Sequence, residues 1–314
     1  MAGSPYLFCI HGNFTLIGKQ PDGDSVRFIA NDPSAFDVLH RSERIKPSTV
    51  DGSVQLRFEG IDAPELHYGS AAQPLGAEAR DELLKKMGFK GLTFNGTTVT
   101  ASKPASLPGA ILSTAAEANG RPVSYVLVDE NLPPEKTWVH VDNTMLKKTM
   151  NVHMIESGLA YYTVYTSMPK THRTFFRAAA TQTRNAARPA AATATAGGGT
   201  GTTTGKKSVW SLDASSDFVL DDQISIGPSG NLILPKLFRR CTDYLKDVKD
   251  GKFDGNLADW IRSKNQGSRS ENDKVIVLGA GTSAIEVNFA DLIQQHNRNV
   301  SLQADLLDLV FVEK

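Results

Sequence analysis

Three short segments hold side chains that could do chemistry together. They are Asp22-Gly23-Asp24-Ser25-Val26, then Arg57-Phe58-Glu59-Gly60-Ile61-Asp62-Ala63-Pro64-Glu65, then Asn119-Gly120-Arg121-Pro122. The carboxylates of Asp24 and Asp62 are hard oxygen donors of the kind Ca²⁺ takes. Arg57 and Arg121 carry planar forks that suit phosphate oxygens better than a lysine ammonium does. Pro64 fixes its own backbone and pushes Ala63 toward an extended conformation. That turn would hold Asp62 and Glu65 around one point. Singly, each piece has a plain structural reading: D-G-D is a common turn, and Arg57 with Glu65 could be a surface ion pair worth little.

Taken together and in order, the segments resemble the staphylococcal nuclease family. The family pattern is D-G-D-[TS] entering a strand, R-x-x-x-[IV]-D-[TA]-P-E leaving one, and G-R opening a later strand. The stretch His153–Tyr165, HMIESGLAYYTVY, followed by a helical segment, is similar to the family's end. The resemblance spans roughly residues 12–188, with two insertions. It implies a Ca²⁺-dependent phosphodiesterase, an endonuclease acting on DNA, RNA or both. Water attacking a phosphodiester builds negative charge on phosphoryl oxygens, so a cation, a base and fixed positive donors are needed. The resemblance gives Asp24, Asp62 and the Ala63 carbonyl to the metal, the general-base role to Glu65, and the phosphate to Arg57 and Arg121. The family often reads D-x-Y-G-R where this chain has Glu117-Ala118-Asn119-Gly120-Arg121, so an aromatic that would line the nucleotide site is absent. Tyr161, Tyr162 and Tyr165 are the candidates to flank base or phosphate, in a register open by one residue; stacking on such rings tolerates any base. The alternative is a nucleic-acid-binding scaffold that has lost catalysis, or an effector attached to a partner-binding module. Intact Asp24, Arg57, Asp62, Glu65 and Arg121 argue against lost catalysis.

The elements that must position these residues follow from periodicity. Asp24–Ala30, Val54–Gly60, Leu92–Ala101 and Val123–Asp129 are β-branched or aromatic and alternate. In the second run Val54, Leu56 and Phe58 share one face, while Gln55, Arg57 and Glu59 share the other. Leu75, Ala79, Leu83 and Met87 recur every four residues and predict a helix from near Pro74. Further helices are expected over about Met145–Ser157 and Thr171–Ala187. Asn31–Ser53 and Ser102–Asn119 read as long polar insertions. This order suits an α+β domain, a small barrel with helices packed on it rather than alternating βαβ units, and with the resemblance it predicts a five-stranded OB-fold barrel.

Pro189 to Gly205 contains only Pro, Ala, Thr and Gly, too little apolar area to offset ordering entropy. It predicts a linker over 189–207 between a nuclease-like domain, 1–188, and an α+β accessory domain, 208–314, that matches no pattern. The tether predicts separable units. Of the 314 residues, Lys plus Arg and Asp plus Glu are 34 each. The balance is uneven: residues 1–208 carry 22 basic and 18 acidic side chains, and residues 209–314 carry 12 and 16. An acidic second unit could recruit a protein partner or lie over a basic substrate groove as a weak mimic of nucleic acid. Within it, Pro235–Lys249 and Leu257–Ser263 read as helices and Leu306–Val312 as a strand. Val275–Ala284 imitates a dinucleotide fingerprint, G-x-G-x-x-A, but too few residues follow for a doubly wound sheet. Arg173, Arg177, Arg184 and Arg188 form a stripe on the Thr171–Ala187 helix, either a nucleic-acid contact or a solvated face. Cys9 and Cys241 are expected to be reduced thiols. The N-terminal apolar run is too short for a secretory signal and no segment is apolar enough to span a membrane, so a cytoplasmic location is expected.

Overall fold

The computed structural model describes residues 5–187, 207–264, 273–279 and 284–313. Residues 189–206, expected to be a linker, as well as Arg188 and residues 280–283, lie outside the described residues. The long strand β1, Tyr6–Thr15, is central. It pairs antiparallel with β2, Arg27–Ala30, on one edge. Residues Val54–Phe58 follow as two short strands, β3 (Val54–Gln55) and β4 (Arg57–Phe58), hinged at Leu56. After them come β5, Ile61–Asp62, helix α1, Gly76–Met87, the hairpin β6–β7 (Lys90–Asn95 and Thr98–Lys103), β8, Ser106–Ala116, and β9, Pro122–Leu127. The sheet order is β3-β2-β1-β8-β9-β4. Its two ends, β3 and β4, are one bent segment, so the sheet curls into a nearly closed barrel. Leu56 bridges the bend by donating its N–H to the Val26 carbonyl at 3.0 Å.

The alternation read in Val54–Glu59 holds: Val54, Leu56 and Phe58 are buried, and Gln55, Arg57 and Glu59 are half-buried. Phe14, Phe28 and Ile111 join the buried set in the core, while Tyr125 turns the other way, toward His172 and Phe176 of the helix at 170–187. Two expectations are overturned. Leu92–Ala101 is not one strand, because the two-residue turn Gly96-Thr97, with Gly96 at φ +58°, folds it into the β6–β7 hairpin. Ser102–Asn119 is not an insertion but contains β8, which lies between β1 and β9 with Ala110, Ile111 and Leu112 fully buried. Its prolines fall toward the strand's start, where they hide the apolar run that follows.

Strand β10, Trp138–His140, pairs with β1. The expected second helix is two, α2 (Asn143–Leu146) and α3 (Met150–Glu156), the latter opened by a Thr149 side-chain cap. Strands β11, Tyr161–Tyr162, and β12, Val164–Tyr165, lead into α4, Lys170–Ala187. The remaining elements are α5 (Val209–Leu212), β13 (Phe218–Val219), α6 (Pro235–Lys249), α7 (Leu257–Lys264), β14 (Lys274–Leu278), β15 (Ala284–Asn288), β16 (Ile293–His296), β17 (Asn299–Leu302) and β18 (Leu309–Phe311). β14 and β15 are antiparallel neighbours, which no dinucleotide fold would make of this segment.

The two parts of the chain share structure. β12 pairs in parallel with β18, as Val164 with Val310 and Tyr165 with Phe311. On α4, Arg177 bonds the Leu307 carbonyl at 2.8 Å and pairs with Asp308, while Arg184 pairs with Asp305 at 2.6 Å. Two arginines of the stripe, Arg177 and Arg184, are thus engaged with the second part. Apolar strands and ion pairs hold this contact. Cys9 and Cys241 are both free and buried. Among the described residues no helix is long and apolar enough to cross a membrane.

Candidate active site

The site lies at one mouth of the barrel, where two loops meet. The first is the Asp22–Ser25 turn, closed by the Asp22 N–H on the Ser25 carbonyl at 3.0 Å and by the Asp22 carboxylate taking the Gly23 N–H at 2.8 Å. The second leaves β5 through Asp62, Ala63, Pro64 and Glu65. Asp24 Oδ2 accepts the Ala63 N–H at 3.4 Å, tying the loops together. Gly23 is demanded here: a Cβ would stand 2.6 Å from Ala63 Cβ and 2.7 Å from Ala79 Cβ. Gly60, at φ +80°, makes the turn into β5, with Phe176 filling the space a side chain would need. Gln73 supports Glu65 from behind, accepting its N–H at 3.1 Å.

Arg57 projects from the outer face of β4. It donates to the Tyr165 hydroxyl at 3.0 Å and sits 5.0 Å from that ring's centroid. Arg121 opens β9 and is steered by Glu117, whose carboxylate it meets at 2.9 Å. Glu117 therefore takes a structural part where the family pattern has an aspartate. Gly120 can only be glycine, since a Cβ would lie 2.0 Å from the Arg44 carbonyl of the 31–53 insertion. These side chains line one cleft of about 860 Å³, with Asp22, Asp24, Arg57, Asp62, Glu65, Arg121 and Tyr165 on its walls. That is room enough for a nucleotide-sized ligand.

The acidic group is electrically crowded. Burial, then the charge of Asp62, pushes Asp24 up to about 6, against the pull of Arg121, Arg57 and Arg239. Burial pushes Glu65 up to about 7, with Arg239 pulling the other way. Asp22 is raised as well, by burial and by Asp24 and Glu65. Crowded carboxylates of this kind call for a cation.

A cation is present, and it comes from the second part of the chain. Arg239 of α6 donates to both Asp62 oxygens, at 3.2 and 2.7 Å, and to Glu65. Sequence reasoning passed over this residue. Its signal was the i, i+3, i+4 spacing of Lys236, Arg239 and Arg240 on an amphipathic helix, a basic face within an acidic unit. The expectation of an acidic surface lying over a basic groove is accordingly reversed: α6 brings positive charge to carboxylates. Among the described residues no group of three or more His, Cys, Asp or Glu side chains is gathered as a metal cage in this arrangement.

Of the three tyrosines, Tyr165 lines the cleft. Tyr161 is buried, its hydroxyl donating to Asp213 at 2.9 Å and its ring edge-on to Trp210. Tyr162 is buried as well and adjoins the charges of Arg177 and Arg173.

Residues 55–188 match the family model described as staphylococcal nuclease homologue. That stretch of the chain is a staphylococcal nuclease homologue domain. It takes in Arg57, Asp62, Ala63, Glu65, Arg121 and Tyr165; Asp24 lies ahead of the matched residues, on strand-turn residues of the same barrel. No curated protein matches the chain.

Proposed function

We propose that the nuclease-homologue domain hydrolyses phosphodiester bonds of DNA and RNA with the help of one divalent cation, Ca²⁺ by preference. The observation that carries this reading is the convergence of Asp24, Asp62 and Glu65 with Arg57 and Arg121 in a single cleft. The donor chemistry suits a hard cation, and the Arg239 guanidinium already stands in as one on Asp62 and Glu65. Asp24, Asp62 and the Ala63 carbonyl would hold the ion. When bound, it would supply Lewis-acid stabilisation of charge on the phosphoryl oxygens.

The chain's own residues do the rest. Arg57 and Arg121 flank the cleft and grip the phosphate with charge-assisted hydrogen bonds. Tyr165 orients Arg57 and offers a ring face to the nucleotide. Glu65 takes the proton from the attacking water at a carboxylate oxygen. Residues 208–314 serve as an accessory unit that controls or targets this site. Protein partners for that unit belong to the same reading.

The test is plasmid nicking and RNA cleavage in Ca²⁺ and in excess chelator, with Glu65→Gln alongside. Replacing a general base costs ~10²–10⁴-fold. Full activity in chelator would remove the metal, and a Glu65→Gln variant as active as the parent would remove Glu65 as the base. The Arg239 ion pairs favour a second reading, nucleic-acid binding without cleavage. The same assay decides it: retention of nucleic acid with no nicking in Ca²⁺ would favour the scaffold.

A further inference from the structure

Arg239 is placed by design of the fold rather than by the wandering of a surface side chain. Helix α6 starts at Pro235 and buries Leu237, Phe238, Cys241 and Tyr244. Two contacts bracket Arg239, and both reach the loop that follows Glu65. Before the helix, the Ile233 carbonyl accepts from Gln73 Nε2 at 2.7 Å. One turn after Arg239, Asp243 accepts from the Tyr68 hydroxyl at 2.8 Å. Lys236 and Arg240, its neighbours on the helix, are held by Asp273 instead, at 3.2 and 2.7 Å. Arg239 is the member of this basic face engaged with Asp62 and Glu65, which are largely buried.

A guanidinium fork on these oxygens uses the lone pairs that a hard cation would need. Two cations cannot share them, because each would repel the other in a half-buried cleft. The same contact takes up one Glu65 oxygen and favours the charged carboxylate, which makes Glu65 a weaker base toward water. We propose that Arg239 is a resident cation that competes with the divalent ion for Asp62 and Glu65 and keeps the nuclease site silent until it is displaced. This rests on the metal-dependent reading above.

Charge-assisted contacts of this strength hold a site shut by roughly ten- to a hundred-fold. The experiment titrates the full chain with Ca²⁺ by calorimetry, after removal of bound metal, as wild type, Arg239→Lys and Arg239→Gln. The rise in Tm with Ca²⁺ is followed in parallel. The expected order of Ca²⁺ affinity is wild type weakest, Arg239→Lys intermediate and Arg239→Gln tightest, with the last about ten- to a hundred-fold above wild type. A lysine keeps the charge but not the fork, so it competes less well. Ca²⁺ should also raise the Tm of Arg239→Gln by more than that of wild type. If Arg239→Gln does not fold, wild type against Arg239→Lys decides: tighter binding by the lysine variant supports competition, and equal or weaker binding overturns it. If all three bind Ca²⁺ equally, the metal reading stands and the competition falls. If none binds Ca²⁺, the metal reading falls and the competition with it.

Discussion

Replacing Phe311 by alanine tests whether the two parts of the chain stand or fall together. Phe311 ends β18 and is 2% exposed. Its ring lies 5.8 Å from that of Tyr165 and 5.9 Å from that of Phe289, with the Lys236 ammonium 4.7 Å from its centroid. Its carbonyl accepts the Thr166 N–H at 2.8 Å, so strand pairing survives the substitution and only the ring is lost. Removing a buried phenylalanine ring costs about 3–5 kcal/mol, from lost transfer energy and the cavity left behind. That is a large part of the ~5–15 kcal/mol that folds a typical domain. The effect should reach the site, because Tyr165 backs Arg57 and would lose the wall behind it. Urea unfolding followed by far-UV circular dichroism and by tryptophan fluorescence is the assay. Trp138 lies in the barrel part and Trp210 and Trp260 in the second part. The expected result is one transition seen by both probes, displaced by about 3–5 kcal/mol. A loss below about 1 kcal/mol would refute the packing argument. An early transition confined to the second part, with the barrel unchanged, would refute the claim that β12 and β18 couple them.

Three smaller predictions concern the scaffold of the site. Asn151 is fully buried; it accepts from Val126 N at 2.9 Å and donates to the Glu59 and Ser124 carbonyls at 2.9 and 3.0 Å. Asn151→Ala strands the Val126 N–H and the Glu59 carbonyl at about 1–3 kcal/mol each, while the Ser124 carbonyl keeps the Glu59 N–H at 3.0 Å, so urea unfolding should show a loss of ~2 kcal/mol or more, and a loss under ~1 kcal/mol would mean water replaces the amide. Gly23→Ala must push the Asp22–Ser25 turn off Ala63 and Ala79, an overpacking cost of about 1–3 kcal/mol, with weaker cleavage and a lower Tm; an unchanged Tm would show that the loops part freely. His172 is buried between the Tyr125 hydroxyl at 3.0 Å and the Val141 carbonyl at 2.8 Å, and burial holds its pKa below the ordinary histidine value. The unfolded chain then binds the proton first, so this contribution is present above about pH 6.5 and lost as pH falls below it. His172→Leu should lower Tm at neutral pH yet flatten its decline toward acid, and an equal slope in both proteins would count against this histidine as the cause.

Much of this molecule is legible in short stretches of sequence. The alternation of Val54, Leu56 and Phe58 against Gln55, Arg57 and Glu59 placed Arg57 outside the barrel core, because a strand's two faces follow from its two-residue period. The four-residue spacing of Leu75, Ala79, Leu83 and Met87 marked α1, and Pro235–Lys249 was read as a helix with the bounds it has. Where a local signal was mixed, the reading failed. Prolines near the start of β8 outweighed Ala110–Leu112 in the sequence, whereas in the fold the neighbours β1 and β9 supply the hydrogen bonds and burial that make this segment a central strand. Turns and periods are short-range properties, so a single stretch of residues carries them. Which surfaces meet is different: Arg239 faces Asp62 from 177 residues away, Tyr161 gives its hydroxyl to Asp213, and Tyr165 stacks beside Phe311. No local pattern encodes such pairings, since each depends on the summed burial and charge of two faces that come together only once both have formed. The sequence by itself therefore marked Asp24, Arg57, Asp62, Glu65 and Arg121, which line one cleft, and the periodicity of elements around them. Only the tertiary structure decided that the accessory part brings its own cation to their carboxylates.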